Sequence, residues 1–155
     1  MAFTDLECTT YHEAAHAVVY LHHGIEIEDL TVMQSGGWCF PSEDTPYDYP
    51  YLLAALAGME SDRHLLADQP DDLKGRESGW KGDLEQVDKA IAALGGDVSM
   101  DEAAAESRRL VLENWHRIQF LAQLLVRGLT ANLKDGDDRY MMLGHEVQAR
   151  LSTMA

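Results

Sequence analysis

The chain has 155 residues, of which 46% are hydrophobic, and its 27 acidic against 12 basic residues give a formal charge of −15. This length and apolar content predict a single domain over residues 1–155 with a buried core, and they exclude a disordered chain. The negative charge repels phosphate backbones and anionic lipid surfaces, so we expect neither a nucleic acid nor a membrane as a partner.

Three further features of the sequence predict a cytoplasmic protein. The amino-terminal residues are acidic, and the apolar core of a signal peptide does not follow them. No stretch approaches the roughly 20 apolar residues that a membrane-spanning helix needs. The two cysteines, Cys8 and Cys39, are too few for a disulfide framework and do not form a C-x-x-C pair.

The first part of the chain is predicted to form a helix followed by a small sheet. Residues 9–23 predict a helix, which a threonine caps and a glycine ends. Alternating apolar side chains over residues 25–33 predict a strand, and the glycine pair at 36–37 predicts a turn. Residues 38–40 predict a short second strand, so the simplest sheet is a hairpin.

The remainder of the chain is predicted to be helical. Pro50 suits the first position of a helix, and Ser99 with Glu102 forms a capping box that opens another. The predicted segments are a helix over 50–66, a loop over 68–79, a helix over 82–94, a long helical segment over 99–133 and a final helix over 143–151. The predicted fold class is therefore mainly α (α+β), with one small β-sheet or hairpin.

An H-E-x-x-H motif lies inside the first predicted helix, from His12 to His16. Positions i and i+4 share one face of a helix, so both imidazoles can hold one metal ion with Glu13 beside it. Zinc accepts neutral imidazole nitrogens, and a catalytic zinc site keeps one position open for water. Because a carboxylate beside that water can act as a general base, the motif predicts a zinc enzyme.

Such a site needs a third protein ligand, for which the residues leave several candidates. His22 matches the metzincin spacing H-E-x-x-H-x-x-G-x-x-H, but Val19 occupies the glycine position and a β-branched residue resists the turn needed there. We therefore reject His22. Glu60 has the position of a thermolysin-type ligand on a second helix. Asp83, by composition alone, is an ordinary acidic residue at a helix start.

The order of these segments resembles the peptidase domain of the FtsH-type ATP-dependent zinc metalloproteases. That family has H-E-A-G-H-A on its zinc helix, and residues 12–17 here read HEAAHA. Its K-V-T-I strand is matched loosely by residues 29–33, and its G-G-R-x-A-E-E signature by a degraded form at residues 57–63. Its G-A-x-N-D-L helix start is matched by the Gly-Asp-Leu of residues 82–84. The resemblance extends over most of the chain from Tyr11 onward.

The resemblance implies a single FtsH-like zinc metallopeptidase domain that hydrolyses internal peptide bonds. It implies His12, His16 and Asp83 as the zinc ligands and Glu13 as the general base, with Asp62 orienting a ligand histidine. Since the 155 residues contain neither pattern, we expect a protein without an ATPase module and without a membrane anchor. We therefore expect ATP-independent hydrolysis of a peptide or an unfolded protein, with a second copy of the chain or a separate ATPase as candidate partners.

The alternative function is a zinc-binding regulatory or interaction protein that descends from such a peptidase and has lost turnover. Glu13 argues against this alternative, because a purely structural zinc ion has no use for a base.

Overall fold

The computed structural model describes residues 3–154 and confirms the predicted fold class: the chain is mainly helical and has one small antiparallel sheet. None of the described helices is both long enough and apolar enough to cross a membrane. The elements in chain order are α1 (Asp5–His22), β1 (Ile27–Met33), β2 (Gly36–Pro41), α2 (Tyr49–Leu65), α3 (Pro70–Glu77), a 3-10 turn (Ser78–Trp80), α4 (Lys81–Ala93), α5 (Met100–Glu113), α6 (Trp115–Lys134), β3 (Arg139–Leu143) and α7 (Gly144–Ser152).

Helix α1 lies at the centre of the fold, and every residue from Cys8 to Tyr20 is buried. It packs against α2, α6 and the first two strands. A helix that is covered all round needs no polar face, which explains why its apolar residues follow no clear stripe. The H-E-x-x-H motif is therefore held in the interior of the protein. The helix begins at Asp5 instead of residue 9, because the Thr4 hydroxyl accepts the Glu7 backbone N–H and caps it.

The sheet has three strands in the order β2-β1-β3, and both pairings are antiparallel. The predicted hairpin of β1 and β2 is present, but its turn lies at residues 34–35, because Gly36 and Gly37 already pair with β1 as part of β2. Strand β3 was missed, and the last helix begins one residue after the predicted start. Gly144 occupies the junction between β3 and α7, where a Cβ would overlap the backbone carbonyl oxygen of Ile27. Only glycine lets the chain turn there directly beneath β1.

Two other predictions of secondary structure were wrong. The segment over 68–79 is not a loop, because it contains α3 and most of the 3-10 turn. Helix α3 buries none of its residues, so it has no apolar periodicity to reveal it. The long helical segment is interrupted at Asn114, whose side-chain amide donates to the Leu110 carbonyl at 2.9 Å and ends α5.

Candidate metal centre

Three potential metal ligands converge from two helices. The two histidines lie one turn apart on α1, and Asp83 lies in the first turn of α4. The Nε2 atom of His12 is 2.7 Å from Asp83 Oδ2, and that of His16 is 3.2 Å from Asp83 Oδ1. All three ligand atoms lie within 4.8 Å of one another. Two nitrogens and one oxygen are the number and kind of donors that a catalytic zinc site takes from protein.

Hydrogen bonds on the far side of each imidazole orient the ring. The Nδ1 atom of His12 donates to Asp62 Oδ2 at 2.9 Å, and that of His16 donates to the Ala54 carbonyl at 2.7 Å. Each Nδ1 therefore carries a ring hydrogen, and Nε2 is the nitrogen that faces Asp83 and that, in the neutral ring, offers a lone pair to a metal ion. His16 Nε2 is buried without a hydrogen-bond partner. A zinc ion would replace the Nε2 hydrogens as the positive charge beside the carboxylate, so the donor set of two imidazoles and one carboxylate fits zinc.

Gly58 on α2 makes room for the two imidazoles. A Cβ at this position would overlap the Nε2 atoms of both His12 and His16. Any larger residue would push into the edges of the rings that face Asp83. Sequence reasoning placed Gly58 in a degraded family signature without seeing this role, because the role depends on how α2 crosses α1.

Asp62 lies fully buried behind His12 and contacts two hydrogen-bond donors and one cation, each from a different element. Its Oδ2 accepts the indole N–H of Trp80 at 2.7 Å in addition to His12 Nδ1. The Arg76 Nε atom lies 3.6 Å from the same oxygen and offsets its charge. The orienting role that the resemblance implied for Asp62 agrees with this geometry. Trp80 and Arg76 were not identified from the sequence, although a buried tryptophan N–H ordinarily has an acceptor.

The ionisable side chains of the candidate centre shift one another's pKa values. Burial alone would lower the pKa of His12, but hydrogen bonds and charge from Asp62 and Asp83 outweigh it and raise that pKa well above its usual value. The pKa of His16 is raised in the same way against burial, chiefly by Asp83. Burial favours protonation of Asp83, yet the two imidazoles hold its pKa well below the usual range. The arrangement thus favours a carboxylate and positive charge together.

Glu13 lies beside the ligands at the junction of two cavities. A polar cavity of about 590 Å³ extends toward Thr9 and Arg76, and a second cavity of about 400 Å³ extends toward Tyr20 and Tyr51. His12 and Glu13 line both cavities, so the Glu13 side chain borders open space on two sides. Burial raises the pKa of Glu13 above the ordinary glutamate value, which makes it a better proton acceptor than an exposed carboxylate.

The other candidate ligands lie outside this cluster. Glu60 is buried but forms an ion pair with Arg63. Helix α1 continues without a turn through Val19 to His22, and the exposed His22 ring packs against His23. The geometry therefore favours Asp83 over both alternatives.

Comparisons with known proteins add no further information about this site. No model of a known protein family matches the chain, and no curated protein matches it either.

Proposed function

We propose that the chain is a zinc-dependent metallopeptidase that uses Glu13 as its general base. The observation that carries this proposal is the convergence of Asp83 on the Nε2 atoms of His12 and His16, although Asp83 lies 71 positions after His12 in the sequence. A carboxylate and two open cavities lie beside the three ligands. This convergence supports two parts of the resemblance to the FtsH-type peptidases. They are the H-E-x-x-H motif on α1 and the Gly-Asp-Leu segment at the start of α4.

Each residue of the centre has a distinct role in the proposed reaction. A zinc ion held by His12, His16 and Asp83 would supply a Lewis acid and lower the pKa of water toward neutrality. Glu13 accepts a proton from the attacking water and later delivers it to the nitrogen of the leaving amine. Asp62 holds the His12 ring in the orientation that presents Nε2, and so contributes without touching the substrate.

The proposal extends to the substrate and to the place of action. The substrate is a peptide or an unfolded protein, and the chemical step needs no ATP because the chemistry resides in these side chains. A second copy of the chain or a separate ATPase is the partner to look for. Both cysteines are free, which suits a reducing compartment, and we place the protein in the cytoplasm.

Replacing Glu13 by glutamine tests the proposed chemistry. The amide cannot take up a proton, so we expect Glu13→Gln to lose at least about a hundredfold of peptide or casein hydrolysis. Its zinc content, measured by elemental analysis, should stay near one ion per chain because no ligand is changed. The control is Glu77→Gln, an exposed residue of α3 that lines neither cavity, which should keep near-normal activity.

Two results of this test would contradict the proposal. Equal hydrolysis by the wild type and Glu13→Gln, both zinc-loaded, would exclude Glu13 as the base and favour the regulatory zinc protein. Absence of zinc from the wild type, purified with zinc available, would contradict the proposal that these residues form a metal centre.

A further inference from the structure

The sheet has a second face, which points away from the core of the protein. Successive residues of a strand point to opposite faces of a sheet, and residues that pair across strands point to the same face. The inner face carries Leu30, Val32 and Met142, each of which is at most 3% exposed. We call the opposite face the outer sheet face. Its first two rows, read across β2, β1 and β3, are Phe40, Asp29 and Leu143, and then Trp38, Thr31 and Met141.

The outer sheet face is apolar and open to solvent. Phe40 is 51% exposed, Met141 is 52% exposed and Leu143 is 40% exposed. Trp38 stacks on Phe40 with 5.9 Å between the ring centroids. These four large side chains lie on neighbouring positions of one face, on a molecule whose net charge is −15. A contiguous apolar patch of this kind indicates a surface that binds another protein.

The one carboxylate in these two rows is held by its own neighbours. Asp29 Oδ1 accepts the indole N–H of Trp38 at 2.7 Å and the hydroxyl of Thr31 at 3.2 Å. The charge of Asp29 therefore lies flat within the face, so an apolar surface can approach it without first breaking a contact with solvent on this oxygen.

The third row of the outer sheet face balances this charge. It consists of Gly36, Met33 and Arg139, in the same strand order. The nine positions thus include one anion and one cation, and the face as a whole is neutral. Two copies of an acidic protein can bring a neutral face together with much less repulsion than any acidic part of their surfaces would cause.

The arrangement of the rows also allows the outer sheet face to fit a second copy of itself. An interface with twofold symmetry uses the same surface of both copies, so that surface must be self-complementary. A twofold axis that runs across the strands through Thr31 places the first row of one copy over the third row of the other. Phe40 then lies over Gly36 of the second copy, where a Cβ would meet no atom within 4 Å and the ring has room.

The same axis brings the opposite charges near each other. Asp29 of one copy lies one strand, or about 4.8 Å, to the side of the position that faces Arg139 of the second copy, which is within the reach of an arginine side chain. The middle row lies on the axis, so Met141 faces Met141 of the second copy. Because both shape and charge match under one twofold operation, the face favours a second copy of this chain over an unrelated protein.

We propose that two copies of this chain associate through their outer sheet faces, with the strands of the two sheets antiparallel. The two three-stranded sheets then form a sandwich, in which packed sheets lie about 10 Å apart. Three short strands in each copy make a small interface, so we expect a Kd in the micromolar range. This inference is independent of the proposed peptidase reaction, because the sheet supplies no metal ligand and no base.

Sedimentation equilibrium of the full, zinc-loaded chain tests the association over about 5–300 µM, a range that brackets such a Kd. We expect the mass of the wild type to rise from that of one chain to that of two. Met141→Lys would place two lysines opposite each other on the axis and should weaken the dimer by about tenfold or more. The matched control is Leu112→Lys on α5, which makes the same change of charge at a residue that is 41% exposed and lies outside the sheet.

A mixing experiment tests the twofold arrangement itself. Met141→Glu should be as monomeric as Met141→Lys, because two glutamates would then face each other. An equimolar mixture of the two variants should dimerise again, since lysine would face glutamate across the axis. Circular dichroism should show native helix content in both variants, which excludes unfolding as the cause of the lost dimer.

Each outcome of these experiments supports or overturns the proposal. A wild type that stays monomeric over the whole range would overturn it and leave the outer sheet face to a different protein. Dimerisation of Met141→Lys equal to that of the wild type, or an equal loss in Leu112→Lys, would overturn the assignment to this face. A mixture of the two folded Met141 variants that stays monomeric would overturn the twofold arrangement, whereas a restored dimer supports it.

Discussion

Gly58 illustrates how the absence of a side chain can make room for a candidate metal centre. Replacing glycine by alanine inside a helix ordinarily stabilises a protein by about 1 kcal/mol. In Gly58→Ala the new methyl group would instead displace the imidazoles of His12 and His16. We expect loss of stoichiometric zinc and a decrease of about 1–3 kcal/mol in the free energy of unfolding, measured by elemental analysis and urea denaturation.

The matched control for this substitution is Gly75→Ala in α3. A Cβ there meets no atom within 4 Å, so zinc content should stay normal and stability should be unchanged or slightly greater. Normal zinc binding by Gly58→Ala would show that the rings have more freedom than their packing suggests.

Trp80 is expected to affect zinc binding from a distance. Trp80→Phe keeps an aromatic ring in place but removes the N–H that Asp62 Oδ2 accepts, so Asp62 is held less firmly against His12. We expect the zinc affinity to fall by about 10- to 100-fold, measured by competition with a chromogenic chelator, while the circular dichroism stays native. Trp115→Phe should leave the affinity unchanged, since Trp115 stacks on Tyr11 and donates no hydrogen bond to Asp62. An unaltered affinity in Trp80→Phe would argue against this positioning role.

The local sequence pattern alone predicts the two histidine ligands and the neighbouring glutamate, but it does not identify the third ligand. His12, Glu13 and His16 are recognisable because their spacing matches one turn of a helix. Asp83 was favoured only through resemblance, since an acidic residue at a helix start is common in proteins. Gly58 and Trp80 act through residues far away in sequence, so no pattern within their own segments could reveal them.

At the scale of elements, prediction succeeded where the apolar period was strong and failed where it was weak. Helices α2 and α4 and the hairpin of β1 and β2 were found close to their observed positions. Helix α3 escaped because its residues are solvated or only partly buried. Strand β3 escaped because it is short and its methionines have little preference for strands.

The junction between β3 and α7 should be intolerant of any side chain. Gly144→Ala would place a methyl group against the Ile27 backbone carbonyl, which cannot move away as a flexible side chain could. We expect a decrease of about 1–3 kcal/mol in the free energy of unfolding, with the folded fraction still binding zinc because β3 supplies no ligand. Urea denaturation with and without zinc measures both effects. Unchanged stability would mean that β3 can separate from β1 at no cost.

For the molecule as a whole, we expect zinc binding to raise the free energy of unfolding and the melting temperature. A ligand that binds only the folded state stabilises it by about 2.7 kcal/mol at one hundred times its Kd, or about 5–10 °C in the melting temperature of a domain of this size. We expect a chelator to lower the melting temperature of the wild type by about this amount, measured by differential scanning calorimetry. Asp83→Ala should show little response, whereas Glu60→Ala should respond like the wild type. A response of Asp83→Ala equal to that of the wild type would exclude Asp83 as a ligand.

The separation of the ligands along the chain has a consequence for the order of assembly during synthesis. The two histidines leave the ribosome early, but Asp83 follows only after α2 and α3 have been made. Two imidazoles on an isolated helix bind a metal ion only weakly. The third ligand is in place only when α4 has folded onto the rest of the domain. Under the proposed function, we expect loading with zinc to follow completion of this part of the fold, so that a chain that stalls earlier would hold no zinc and have no hydrolytic activity.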